Sequence, residues 1–160
     1  MSSNPEVLTY DWIKTGGRPT GLHLKALLDN LRLATATKID SAIDSGTLIP
    51  VDASTLLESS VIGDRLEATC FLNIAAGLIN TATKATNGNG RGVSAFTECA
   101  SLLWMRNQTE AALQLEQLGG QMVESHTVEL LCGYELKSFL EEQKQAFCSV
   151  GAHHSLVHLG

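Results

Sequence analysis

Two short apolar runs, "GVSAF" (92–96) and "TVELLCGY" (127–134), are separated by two segments of helical period, at about 98–106 and 109–124. Strands divided by that much helix cannot close as a hairpin. A tight turn joins antiparallel strands, whereas parallel neighbours need a crossover of a dozen or more residues, usually helical. The same alternation extends along the rest of the chain. It predicts an α/β fold: three layers, with a largely parallel sheet flanked by helices.

The other segments fit that scheme. "EVLTYDW" (6–12) reads as a short strand, and "KTGGRPTG" (14–21) as a Gly- and Pro-rich loop. This loop lacks the spacing of a phosphate-binding loop, and Pro19 removes a backbone donor. In "LHLKALLDNLRL" (22–33), Leu24, Leu27, Leu28 and Leu31 share one face of an amphipathic helix. "TKIDSAIDSG" (37–46) reads as a short helix ended by Gly46, and "TLIPVDA" (47–53) as a strand whose Pro50 places it at an edge or a bulge. Asp64 with Glu67 has the form of a capping box opening a long helix through about Lys84. Phe71, Ile74, Ala75, Leu78, Ile79 and Ala82 form its core face. "ATNGNGRG" (85–92) is a turn-rich linker. Asn107 or Thr109 should cap the helix at 109–124. "LKSFLEEQKQAFC" (136–148) reads as a helix and "HHSLVH" (153–158) as an edge strand.

Composition bounds the function. With 160 residues, 44% hydrophobic and 18% charged, the chain reads as one globular domain. Its net charge is −6 and no Lys/Arg run occurs, so direct nucleic-acid binding is not expected. No apolar run is long enough for a membrane span, and the first residues lack a secretory pattern, so a cytoplasmic location is expected. Cys70, Cys99, Cys132 and Cys148 are widely spaced and read as reduced, mostly buried thiols. There is no nucleophile elbow, H-E-x-x-H, P-loop or G-x-G-x-x-G. The expectation is therefore a protein that is not an enzyme and uses no cofactor or metal.

Ligands of open parallel sheets gather at the carboxyl ends of the strands. Asp52, Glu98, Cys132 and Tyr134 all fall at such ends. Each also has a plain structural reading. Asp52 suits a cap for the turn around Thr55–Glu58. Glu98 suits the first turn of a helix, where the dipole favours an acid. Cys132 and Tyr134 suit the core. His153, His154 and His158 stand near the chain end, while His23 and His126 are isolated.

"GRGVSAFTECASLLWMRNQTEAALQLEQL" followed by "VELLCGYEL" resembles the MEDS family, the sensory domain of methanogens, methylotrophs and the dichloromethane-responsive repressor. Glu98, Leu102-Leu103-Trp104, Ala111-Ala112, Leu115-Glu116, Leu131-Cys132 and Tyr134 match its motifs in order. "GTLIPVDASTLL" (46–57) is similar to the family's stretch ending in Asp-Ala. "FCSVGAHHSLV" (147–157) is similar to its terminal Cys…His-Ser segment, which matches Cys148 and His154. The resemblance spans roughly 22–158.

It implies a RecA/KaiC-like fold without a working phosphate loop. It also implies a sensory role toward small hydrocarbon derivatives, usually beside a DNA-binding or histidine-kinase module. Glu98, Cys132 and Tyr134 would line the crevice, with Asp52 and His154 beside them. Glu98 would accept a hydrogen bond or balance a cation, and Tyr134 would orient the ligand.

The chain departs from the family in three places. The family's opening strand–helix unit has no counterpart, which implies an open sheet edge and a homodimer. Thr97-Glu98-Cys99 replaces Gly-Glu-Met. Gly119-Gly120 replaces Trp-Asn, a change expected to weaken the helix. A structural or interaction module with a filled pocket is the second reading. A small hydrolase using Glu98 or Asp52 as base is the third.

Overall fold

The computed structural model describes residues 20–34, 39–63, 65–85, 92–125 and 128–134. The expected strands at 6–12 and 153–158, the helix at 136–148 and residues 14–19 of the expected loop lie outside the described residues, while Thr20 and Gly21 of that loop instead open a helix. His126, His153, His154, His158 and Cys148 also lie outside the described residues. The architecture is mixed α/β. Helices α1 (Thr20–Ala34), α2 (Ile39–Asp44) and α3 (Ala53–Glu58) precede a small hairpin of β1 (Val61–Ile62) and β2 (Arg65–Leu66). Then follow α4 (Ala68–Ala85), β3 (Val93–Thr97), α5 (Cys99–Met105), α6 (Thr109–Ser125) and β4 (Val128–Cys132).

The predicted crossover is present. β3 and β4 pair in parallel, with Val93 opposite Val128 and Thr97 opposite Cys132. α5 and α6 connect them and pack chiefly on each other. Among the described residues the parallel sheet consists of these two strands. β1 and β2 form a separate antiparallel pair.

α5 is the centre of the core. Every residue from Cys99 to Trp104 is buried, and Leu103 and Trp104 are fully so. A helix that is apolar all round must be enclosed. Here Leu57, Leu66, Phe71, Ala111, Ala112, Leu115 and Leu118 join it in one cluster. The helix closes in a Schellman motif: Gln108 N–H donates to the Leu103 carbonyl at 2.9 Å and Asn107 N–H to that of Trp104 at 3.0 Å. Asn107 takes the left-handed position, φ 58°. Asn107 therefore ends α5 rather than capping α6, whose first bond runs from Ala112 N–H to the Gln108 carbonyl.

Two expectations are corrected. Residues 47–53 are not a strand. The Ser45 and Thr47 hydroxyls donate to the Ala42 carbonyl, closing the end of α2. Pro50 has no N–H to give a ladder, and Asp52 turns the chain into α3. The long helix does not begin at Asp64, which itself lies outside the described residues. The chain first makes the β1–β2 hairpin, turning at Gly63 with φ 64°, a value glycine reaches without strain. Burial of Leu66, 4% exposed, holds that strand in the core, and α4 starts only at Ala68.

The glycine pair lies inside the helix expected at 109–124. α6 runs unbroken through Gly119 and Gly120 to Ser125. Gly119 is buried, and a Cβ there would lie 3.0 Å from Leu130 Cδ2, so the missing side chain lets β4 approach the helix. At Gly120 a Cβ would meet open space. Gly120→Ala is therefore expected to stabilise the protein by about 0.5–1 kcal/mol through helix propensity. Gly119→Ala should gain less, because Leu130 must move. Urea midpoints compare the two, and equal gains would contradict the packing role of Gly119.

Candidate functional site

The carboxyl ends of β3 and β4 carry Glu98, Cys132 and Tyr134 of the predicted residues, and α3, α5 and α6 lie around them. Thr97 ends β3 opposite Cys132, and Gly133 N–H donates to the Thr97 carbonyl at 2.9 Å, carrying the ladder one step beyond the strands. Side chains alternate along a strand, so Leu130 and Cys132 share one side, and Tyr134 continues it. That side faces α6. Tyr134 donates its hydroxyl to Glu116 Oε1. The Cys132 thiol lies near enough to feel the Glu116 charge.

Glu116 is the residue that sequence reasoning missed as a site member. It lies four residues after buried Ala112 and three before buried Gly119, so it belongs to the face of α6 turned inward. A charged residue on that face was the available signal.

Glu98 occupies the N-cap position of α5, with φ −120° and ψ 5°, but its side chain makes no cap bond. Thr97 takes that role: its Oγ1 accepts from Cys99 N–H at 3.2 Å. The half-buried Glu98 carboxyl is pushed up to about 7, first by burial and then by the charge of Asp52.

Asp52 is not at a strand end. It is the N-cap of α3, and its Oδ1 accepts from Ser54 N–H at 2.9 Å, Ser54 Oγ at 2.7 Å and Thr55 N–H at 3.2 Å. The capping reading of Asp52 therefore holds, and the same carboxylate also lies near Glu98.

The thiols are held protonated. Burial raises Cys99 above its ordinary value, against a hydrogen bond from Thr97 that lowers it. Cys132 is pushed up to about 12 by burial, then by the charge of Glu116. Tyr134 is raised by burial and by its bond to Glu116. Neutral thiols are poor nucleophiles. A carboxyl near neutrality can either donate or accept a proton, so proton exchange at Glu98 is the chemistry this arrangement offers.

Asp52 and Cys99 lie near Glu98, and Cys132 and Tyr134 lie near Glu116. His154 lies outside the described residues. Cys70 stands apart, half-buried, donating its thiol to the Ser59 carbonyl at 3.1 Å. Among the described residues no His/Cys/Asp/Glu group is arranged to hold a metal ion, and no helix is long and apolar enough to cross a membrane. No family model matches the chain, and no curated protein and no solved structure matches it.

Proposed function

We propose that the chain is a small-molecule sensory domain of MEDS type that signals through a partner. Its crevice would be formed by Glu98, Cys132 and Tyr134, with Asp52 and His154 beside them. The expected three-layer, RecA/KaiC-like arrangement belongs to this proposal. The observation that supports it is the placement of Glu98 after β3, and of Cys132 and Tyr134 at the end of β4, at the carboxyl ends of two parallel neighbours, where such sheets bind ligands. In this reading Glu98 donates to a polar ligand when protonated and balances a cationic one when ionised. Tyr134 is oriented by Glu116.

A thermal-shift screen of small alcohols, acids, amines and halocarbons tests the proposal. A ligand at a hundred times its Kd stabilises by about 2.7 kcal/mol. For a chain of this size that is a rise of roughly 5–10 °C. The shift should disappear in Glu98→Ala. No shift with any compound, or a shift unchanged in Glu98→Ala, counts against this crevice.

One observation favours the second reading, a structural or interaction module. Tyr134 already directs its hydroxyl hydrogen to Glu116. That module would show no ligand-induced shift and would lose stability in Tyr134→Phe.

A homodimer completes the proposal. In the described residues β3 and β4 pair only with each other, and Phe96 and Leu131 are 45% and 55% exposed on the outer face. Light scattering should give twice the chain mass at micromolar concentration, whereas one chain mass at all concentrations removes the dimer.

A further inference from the structure

We propose that two copies of the chain join β4 to β4, antiparallel, about a two-fold axis at Leu130. The result is one four-stranded sheet in the order β3–β4–β4–β3. The proposal rests on the homodimer read above and names its edge, its register and its residues.

The backbone of β4 shows where its free edge lies. Along a strand, the N–H and C=O groups of successive residues point alternately to the two neighbours. Gly133 N–H donates to the Thr97 carbonyl, so it points toward β3. By alternation Leu131 and Glu129 also turn their backbone groups toward β3, and Val128, Leu130 and Cys132 turn theirs away. Among the described residues no strand takes that outward set. An edge of this kind is a template for pairing with another chain. The free edge of β3 is the poorer candidate. Its bulky residue, Phe96, lays its ring over Gly133, where a Cβ would come within 2.9 Å of Cζ, so the ring leans toward β4.

The register follows from the length and the side chains of β4. The strand runs from Val128 to Cys132, so Leu130 is its midpoint. An antiparallel pair centred there opposes all five residues within the strand. Leu130 exchanges both backbone bonds with Leu130 of the second copy, and Val128 does so with Cys132 of the second copy. Opposed residues share a face of the sheet. Val128, Leu130 and Cys132 therefore meet apolar partners on the side of α6. On the outer side Glu129 stands opposite Leu131, which is 55% exposed in the single chain. A two-fold at Glu129 would set two like charges directly opposite, which is unfavourable. A two-fold at Leu131 would leave Glu129 facing Gly133 and carry Val128 beyond the strand, to Tyr134. The interface centred at Leu130 is isologous, and it enlarges a two-stranded sheet, marginal by itself, to four strands.

Sedimentation velocity on the whole chain tests the edge and the register together, with circular dichroism as the check on folding. Leu131→Glu sets an acid opposite Glu129 twice per dimer and should raise the dimer dissociation constant about tenfold. Leu131→Lys sets a base there instead and should lower the constant severalfold, a gain that high salt removes. Adding Glu129→Lys to Leu131→Glu should restore the dimer, because the opposed charges again differ in sign. Equal weakening by Leu131→Glu and Leu131→Lys overturns the register, as does a failure of Glu129→Lys to rescue. A dimer untouched by Leu131→Glu lies elsewhere on the chain, which overturns this edge and leaves the homodimer standing. A wild-type chain that stays monomeric at every concentration overturns both.

Discussion

Trp104→Ala is expected to destabilise the protein by about 3–5 kcal/mol, the cost of deleting a large aromatic from a packed interior. Trp104 is the largest fully buried side chain, with 0% exposure. It closes the run Cys99–Trp104, in which no side chain faces water. Nothing on that helix can rotate outward to fill the space, so the cavity term adds to the lost burial. Domains of this size have about 5–15 kcal/mol in total. The substitution therefore removes a large share, and a melting point lower by roughly 10 °C or more should follow. Leu33→Ala provides the comparison: Leu33 is 86% exposed and should change stability by no more than about 0.5 kcal/mol. Urea denaturation measures both, and a loss under 1 kcal/mol for Trp104→Ala would contradict the placement of α5 at the core.

Glu98→Gln should raise stability at pH 8 and leave it nearly unchanged at pH 5. The folded protein holds the Glu98 carboxyl at about 7, above its ordinary value, through burial and the Asp52 charge. The folded state therefore binds more protons than the unfolded one between about 4.5 and 7. Stability from this group is fully present below the unfolded value and is lost as pH rises through the folded value. Glutamine mimics the protonated form and escapes the loss. The carboxyl is only partly buried, so solvent screening reduces the gain at pH 8 to on the order of 1–2 kcal/mol. Stability measured by urea from pH 4.5 to pH 8 should show the decline in the wild type and its reduction in the variant. Parallel curves for the two proteins would show that another group causes the decline.

The most legible part of the fold was β3–α5–α6–β4. There the hydrophobic period changes from two to about 3.6 and back, and Leu102, Leu103, Trp104, Ala111, Ala112 and Leu115 all proved buried. The hairpin of β1 and β2 was illegible because two-residue strands carry no period, and Leu66 is held by tertiary burial. The strand expected at 47–53 failed for the opposite reason. Its composition suits a strand, but a strand exists only with a partner, and local hydroxyl and capping bonds claimed that backbone first.

At the site, Asp52 was readable as a cap and Glu98 as an acid beside an apolar helix. Their proximity was not readable, because it arises from helix packing between distant segments. Glu116 could have been found by asking why a carboxylate interrupts the inward face of α6.

The two contacts between α6 and β4 have a bearing on how the strand finds its place. Leu130 lies against Gly119, and four residues later Tyr134 reaches Glu116, three residues earlier on the helix. The strand thus runs against the direction of the helix and is matched to it at two points. A shift of β4 by two residues would keep the same side inward and satisfy the sheet ladder equally well. It would, however, set Cys132 against Gly119 and take Tyr134 away from Glu116. The helix therefore excludes a misalignment that β3 alone would accept.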